Sequence, residues 1–112
     1  MSSLSTHILD QGAGLPAVNV EVLLQQLTDD GWVQIGTART DADGRITYFG
    51  NEKQLSTGIF QLDFDTGDYF EQKGTKSFYP YVSVIFQMDD ANQHYHVPLL
   101  LNQYGYSTYR GS

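Results

Sequence analysis

Cysteine is absent from this chain, so it has no disulfide framework, no thiolate nucleophile and no cysteine-bound metal. Positive charge is scarce as well: six Lys and Arg stand against thirteen Asp and Glu, a net charge of −7. So acidic a surface argues against nucleic acid and anionic membranes as partners, because both need a basic footprint. No apolar run approaches the roughly 20 residues of a membrane span. No secretory hydrophobic region follows Met1, and a cytoplasmic location is expected. The chain also lacks an internal repeat, a linker and a low-complexity tract, which leaves one domain over residues 1–112.

What the chain does have is a period of two. Val18, Val20, Val22 and Leu24 alternate with Asn19, Glu21 and Leu23. The same rhythm recurs in Phe60, Leu62 and Phe64, and again in Val82, Val84, Phe86 and Met88. Each run predicts a strand with one face in a core. Turn signals separate them at Gly12 to Pro16, Asp29-Asp30-Gly31, Asp43-Gly44, Asp89 to Asn92 and Asn102 to Gly105. The pattern predicts an all-β, antiparallel sandwich. One segment departs from it: an early capping residue, Glu71 three after Asp68, and Gly74 at the end predict a short helix over Asp68 to Lys73.

Two strands have an unusual second face. Tyr95, Val97, Leu99 and Leu101 point one way, whereas His94, His96, Pro98 and Leu100 point the other. Near the N-terminus Leu4, Thr6 and Ile8 alternate with Ser5, His7 and Leu9. A sheet that is apolar inside and half apolar outside is expected to pack against another subunit, with His7 and His96 near the seam.

The chemistry rests on few residues. The three histidines are His7, His94 and His96, and the three arginines are Arg39, Arg45 and Arg110. His94 and His96 share a strand face, which suits either an ordinary hydrogen-bonded pair or a metal pair completed by His7 or a carboxylate. Asp41-Ala42-Asp43-Gly44-Arg45 is a turn and not a calcium loop, because its glycine comes too early and no acidic ligand closes the frame. Arg45 after that turn is either a solvated charge or a guanidinium clamp for a planar, carbonyl-rich ligand. The chain closes on Tyr109-Arg110-Gly111-Ser112 with no polar tail beyond, and this end is expected to be docked and used.

Five segments in order carry a resemblance. They are Leu4-Ser5-Thr6-His7-Ile8-Leu9-Asp10, Gly14-Leu15-Pro16-Ala17, Thr40-Asp41-Ala42-Asp43-Gly44-Arg45, His94-Tyr95-His96-Val97-Pro98-Leu99-Leu100-Leu101 and the closing Tyr109-Arg110-Gly111-Ser112. Together they resemble the transthyretin-related 5-hydroxyisourate hydrolases, from Leu4 to Ser112. The resemblance implies a transthyretin-like sandwich of two four-stranded sheets with one short helix. It implies a homotetramer, a dimer of dimers with active sites where the dimers meet. The implied substrate is 5-hydroxyisourate, hydrolysed to 2-oxo-4-hydroxy-4-carboxy-5-ureidoimidazoline in urate degradation, with no metal and no organic cofactor. The implied catalytic residues are His7, Arg45, His96 and Ser112, with Tyr109, Arg110 and Gly111 beside Arg45 at the substrate.

These residue types suit that reaction. Opening a cyclic acyl group with water needs a base for the water, a cation for the developing oxyanion and an acid for the leaving nitrogen. Imidazole titrates near neutral pH, and two imidazoles can divide the acid and base roles. Three other readings stand beside this one: a carrier that binds a ligand in a central channel, an interaction module whose histidines only hydrogen-bond, and a zinc hydrolase built on His7, His94 and His96.

Overall fold

Alternation along the first strand decides which groups enter the core. The computed structural model describes residues 3–50 and 55–112; Met1, on which the expectation of no leader bears, lies outside them. In β1 (Ser3–Asp10) the side chains of Leu4, Thr6 and Ile8 are wholly buried, while His7 and Leu9 on the opposite face are half-buried. Strand β8 (His94–Leu101) repeats the pattern, burying Tyr95, Val97, Leu99 and Leu101. The two strands pair in register from Ser3 opposite His94 to Asp10 opposite Leu101.

That pairing is parallel, a departure from the antiparallel expectation. Tight turns force antiparallel pairing only on strands adjacent in sequence. β1 and β8 come from opposite ends of the chain, so no turn constrains their direction. Around them the first sheet is completed by β2 (Leu15–Pro16) and β5 (Arg45–Ile46), both paired with β1, and by β9 (Tyr106–Thr108) paired with β8. It thus has five strands, two of them only two residues long, where four were expected.

The second sheet has the expected four strands, all antiparallel, in the order β4-β3-β6-β7. These are β3 (Glu21–Thr28), β4 (Gly31–Arg39), β6 (Gly58–Phe64) and β7 (Val82–Met88). Val22, Leu24, Phe60, Leu62, Phe64 and Met88 pack from this sheet against Leu4, Ile8 and Leu99 of the other. Each such side chain contributes about 1.5–3 kcal/mol by leaving water.

The helix α1 (Thr66–Gln72) starts two residues before the expected Asp68, because Asp65 is the capping residue: its carboxylate accepts the Asp68 N–H. Asp10, buried at the end of β1, anchors this helix. Its Oδ2 accepts from the Tyr69 hydroxyl at 2.8 Å and pairs with Lys73 Nζ at 3.0 Å. No helix among the described residues is long and apolar enough to cross a membrane.

Candidate active site

Strand register assembles the site on the outer face of the first sheet. His7 lies opposite Arg45 across the β1–β5 pair and opposite Pro98 across the β1–β8 pair. Ser5 lies opposite His96, and His96 in turn bridges to Gly111. Four stretches of sequence therefore converge on His96.

Arg45 is presented by a turn that Asp41 holds together. One Asp41 carboxylate oxygen accepts the backbone N–H groups of both Asp43 and Arg45, each at 2.9 Å. These bonds, the Arg45 one foremost, hold the Asp41 carboxyl below its usual range. Gly44 occupies the left-handed region at φ 75°, and a β-carbon there would lie 2.5 Å from the Ile8 carbonyl oxygen. Only glycine lets this turn lie down on β1.

The same turn fixes one imidazole. His7 Nε2 lies 2.9 Å from the Asp43 carbonyl oxygen. A carbonyl only accepts, so Nε2 carries the proton and the lone pair of the neutral ring sits on Nδ1.

His96 is held differently. Its Nδ1 lies 2.7 Å from the Ser5 hydroxyl, and its carbonyl accepts the Gly111 N–H at 2.8 Å. Burial pushes the imidazole below its ordinary value, and the charge of Arg45, with that of His7 and His94 whenever they are protonated, pushes it further the same way. The ring is therefore neutral at neutral pH and has a nitrogen lone pair to accept a proton. Gly111 packs on it so closely that a β-carbon would fall 2.6 Å from His96 Cδ2.

His94 belongs to this cluster as well. Its Nε2 lies 2.9 Å from the same Ser5 hydroxyl, and its Nδ1 lies 2.6 Å from the hydroxyl of Ser3. The sequence pattern placed Ser5 on this face but pointed to no role for it. The signal that would have found it is the register, since Ser3, Ser5 and His7 run parallel to His94, His96 and Pro98. Among the described residues, no group of three His, Asp or Glu side chains is arranged to hold a metal ion.

The terminal residues divide. Gly111 lies on His96, and Ser112 follows it at the exposed end. The Arg110 guanidinium donates to Gln93 Oε1 at 2.8 Å and lies 4.8 Å from the centre of the Tyr95 ring. Tyr109, Arg110, His96 and Ile85 line a cleft of about 280 Å³ beside β7. The outer face around the site is half apolar, as expected, with Pro98 buried and Leu9 and Leu100 half-buried.

Comparison with known proteins shows the family and the fold. Residues 4–111 match the HIUase/Transthyretin family. The chain is 54% identical over 109 residues to the 5-hydroxyisourate hydrolase of Salmonella typhimurium, covering 97% of this chain and 80% of that protein. The structure of Klebsiella pneumoniae 5-hydroxyisourate hydrolase superposes with a TM-score of 0.87 at 37% identity, covering all of both chains. Sea bream transthyretin, solved in complex with thyroxine, superposes with a TM-score of 0.90 at 35% identity, covering 96% of this chain and 93% of that one. The chain belongs to the HIUase/Transthyretin family.

Proposed function

We propose that the protein hydrolyses 5-hydroxyisourate to 2-oxo-4-hydroxy-4-carboxy-5-ureidoimidazoline, in urate degradation, using imidazole-activated water and no metal or organic cofactor. The observation that carries this reading is the convergence of His7, Arg45, His96 and Gly111 through the pairing of β1 with β5 and β8 and the bridge to the C-terminus. Its further support is the hydrolase name of relatives similar over nearly the whole chain.

His96, kept neutral by burial and by neighbouring cations, takes a proton from water as the oxygen attacks the ring acyl carbon. Arg45 neutralises the negative charge that develops on the carbonyl oxygen, and its rigid turn means that little reorganises at that moment. His7, anchored through Nε2, takes the second proton of the added water on its Nδ1 lone pair and passes it to the leaving nitrogen as the carbon–nitrogen bond breaks. Ser112 orients the substrate or the imidazole, and Tyr109 and Arg110 form the wall. The protein acts in the cytoplasm as a homotetramer, a dimer of dimers, with the half-apolar outer face of the first sheet buried where dimers meet and the sites opening there.

The carrier reading draws on the likeness to transthyretin bound to thyroxine. Against it stand the titrating groups of this face, three imidazoles and a guanidinium, where an apolar ligand would need a greasy wall. The deciding experiment generates 5-hydroxyisourate in situ from urate with urate oxidase, adds the protein and follows ultraviolet absorbance. Decay accelerated in proportion to protein is expected. Decay at the spontaneous rate would remove the proposed activity, and light scattering that gave a monomer would remove the tetramer.

A further inference from the structure

Ring-opening of a neutral cyclic amide has a proton balance that the three catalytic groups do not close by themselves. Of the two protons of water, one ends on the leaving nitrogen. The other, taken up by His96 as water attacks, has to leave while substrate still fills the site. We propose, resting on the activity assigned above, that Ser5 and His94 carry this proton from His96 to solvent through a hydrogen-bonded chain that ends at Ser3.

The chain is continuous in the structure. His96 Nδ1 lies 2.7 Å from Ser5 Oγ, Ser5 Oγ lies 2.9 Å from His94 Nε2, and His94 Nδ1 lies 2.6 Å from Ser3 Oγ. All three contacts are within hydrogen-bond range. Ser5 is buried, whereas Ser3 is half-buried and His94 exposed, so the chain runs from the site outward. The parallel β1–β8 register produces it, because Ser3 faces His94 and Ser5 faces His96 at successive outward positions.

The chemistry of the links fits. A serine hydroxyl has one proton, so Ser5 donates to one imidazole and accepts from the other. With His96 protonated on Nδ1, Nε2 has the lone pair that attacks water's proton, Ser5 donates to His94 Nε2, and His94 donates from Nδ1 to Ser3. When His96 gains a proton on Nε2, its Nδ1 proton moves to Ser5 Oγ. The Ser5 hydroxyl proton moves to His94 Nε2, and the His94 Nδ1 proton moves through Ser3 to water. Each residue of the chain gains one proton and loses one, and every hydrogen bond ends reversed. After product leaves, water entering the open site takes the Nε2 proton while a proton returns along the chain to Nδ1, and the hydroxyls rotate back to the start.

The charged and titrating groups around His96 favour departure in this direction. They are His7 on β1, Arg45 on β5, His94 on β8 and the C-terminal Gly111–Ser112 segment. The cations among them make a persistent imidazolium unfavourable, so a proton held on His96 is driven outward. Ser5 and His94 act through His96 and do not touch the substrate.

The test uses the full-length protein, its Ser5→Ala and His94→Gln variants, and dilute buffer. Gln keeps a hydrogen bond to Ser5 but relays protons poorly, so it separates relay from simple positioning. Both variants are expected to lose kcat by roughly 10- to 100-fold, part of the roughly 10²–10⁴-fold that general acid–base catalysis supplies. KM is expected to hold, and added imidazole buffer is expected to restore kcat by accepting the proton directly. In ¹⁵N-histidine spectra Ser5→Ala is expected to shift the His96 ring nitrogens, a readout that needs no turnover. Loss of kcat that imidazole leaves untouched, a His94→Gln enzyme as fast as wild type, or unshifted His96 nitrogens would each overturn the relay. A wild-type protein inert toward 5-hydroxyisourate would instead overturn the assigned activity, with the spectra still reporting on the hydrogen-bonded chain. If Ser5→Ala does not fold, His94→Gln decides alone, since His94 is exposed.

Discussion

Gly111 lies flat against the imidazole of His96, with room for a hydrogen and no more: a β-carbon would stand 2.6 Å from Cδ2. Gly111→Ala must move either the ring or the terminal segment. Because this segment is at the surface, the core is untouched and the melting temperature should stay within a few degrees of wild type. Turnover should drop by at least roughly tenfold, as small misplacements at a reacting centre do. Wild-type turnover measured on the purified variant would refute the role of this contact.

Arg45 supplies the cation, and removing it should cost about 10²–10³ in kcat, the usual loss of one oxyanion donor. Arg45 is exposed on a two-residue strand, so its loss leaves the core intact. Steady-state kinetics and a thermal melt of Arg45→Ala together check this. An active variant would reassign the oxyanion site.

Acid should weaken both activity and stability through His96. Burial, with the nearby cations, holds its folded-state value below the ordinary imidazole value of 6.5. In the window below that value the unfolded chain binds a proton that the folded chain does not, so stability is present above it and declines as pH falls. The acid limb of kcat should likewise lie below pH 6.5, the ordinary imidazole value. A pH series of kcat and of urea midpoints tests both, and an acid limb above that value would contradict the neutral ring.

Asp10 should matter for folding and not for chemistry. Burial alone would raise its carboxyl, but bonds from Tyr69, Lys73 and the Ala13 N–H overcome this and hold it low. Asp10→Ala leaves the helix without its anchor and should cost about 2 kcal/mol, or a melting temperature lower by roughly 8 °C or more. Turnover per folded molecule should persist below the melting transition. An unchanged melting temperature would show that the anchor is dispensable.

Much of this was legible in the sequence. The period of two named the inward residues of β1 and β8 and put His7, His94 and His96 on their outer faces, because alternation along a strand is a local property. Capping signals found the helix but began it at Asp68, since the actual cap, Asp65, directly follows a strand residue and reads as part of that strand. The motifs named His7, Arg45, His96 and the terminal tetrapeptide. What they did not carry is the pair of partners that Arg110 meets, Gln93 just before β8 and Tyr95 within it.

Tertiary structure alone decided what those residues meet. Parallel pairing of the first strand with the eighth brings Ser5 between two imidazoles, and the short β5 contact sets Arg45 beside His7. Pairing between strands so distant in sequence follows from which faces share the core, and no local pattern carries that information. The charge state of His96 follows in turn, because burial and neighbouring cations exist only once the chain has folded around it.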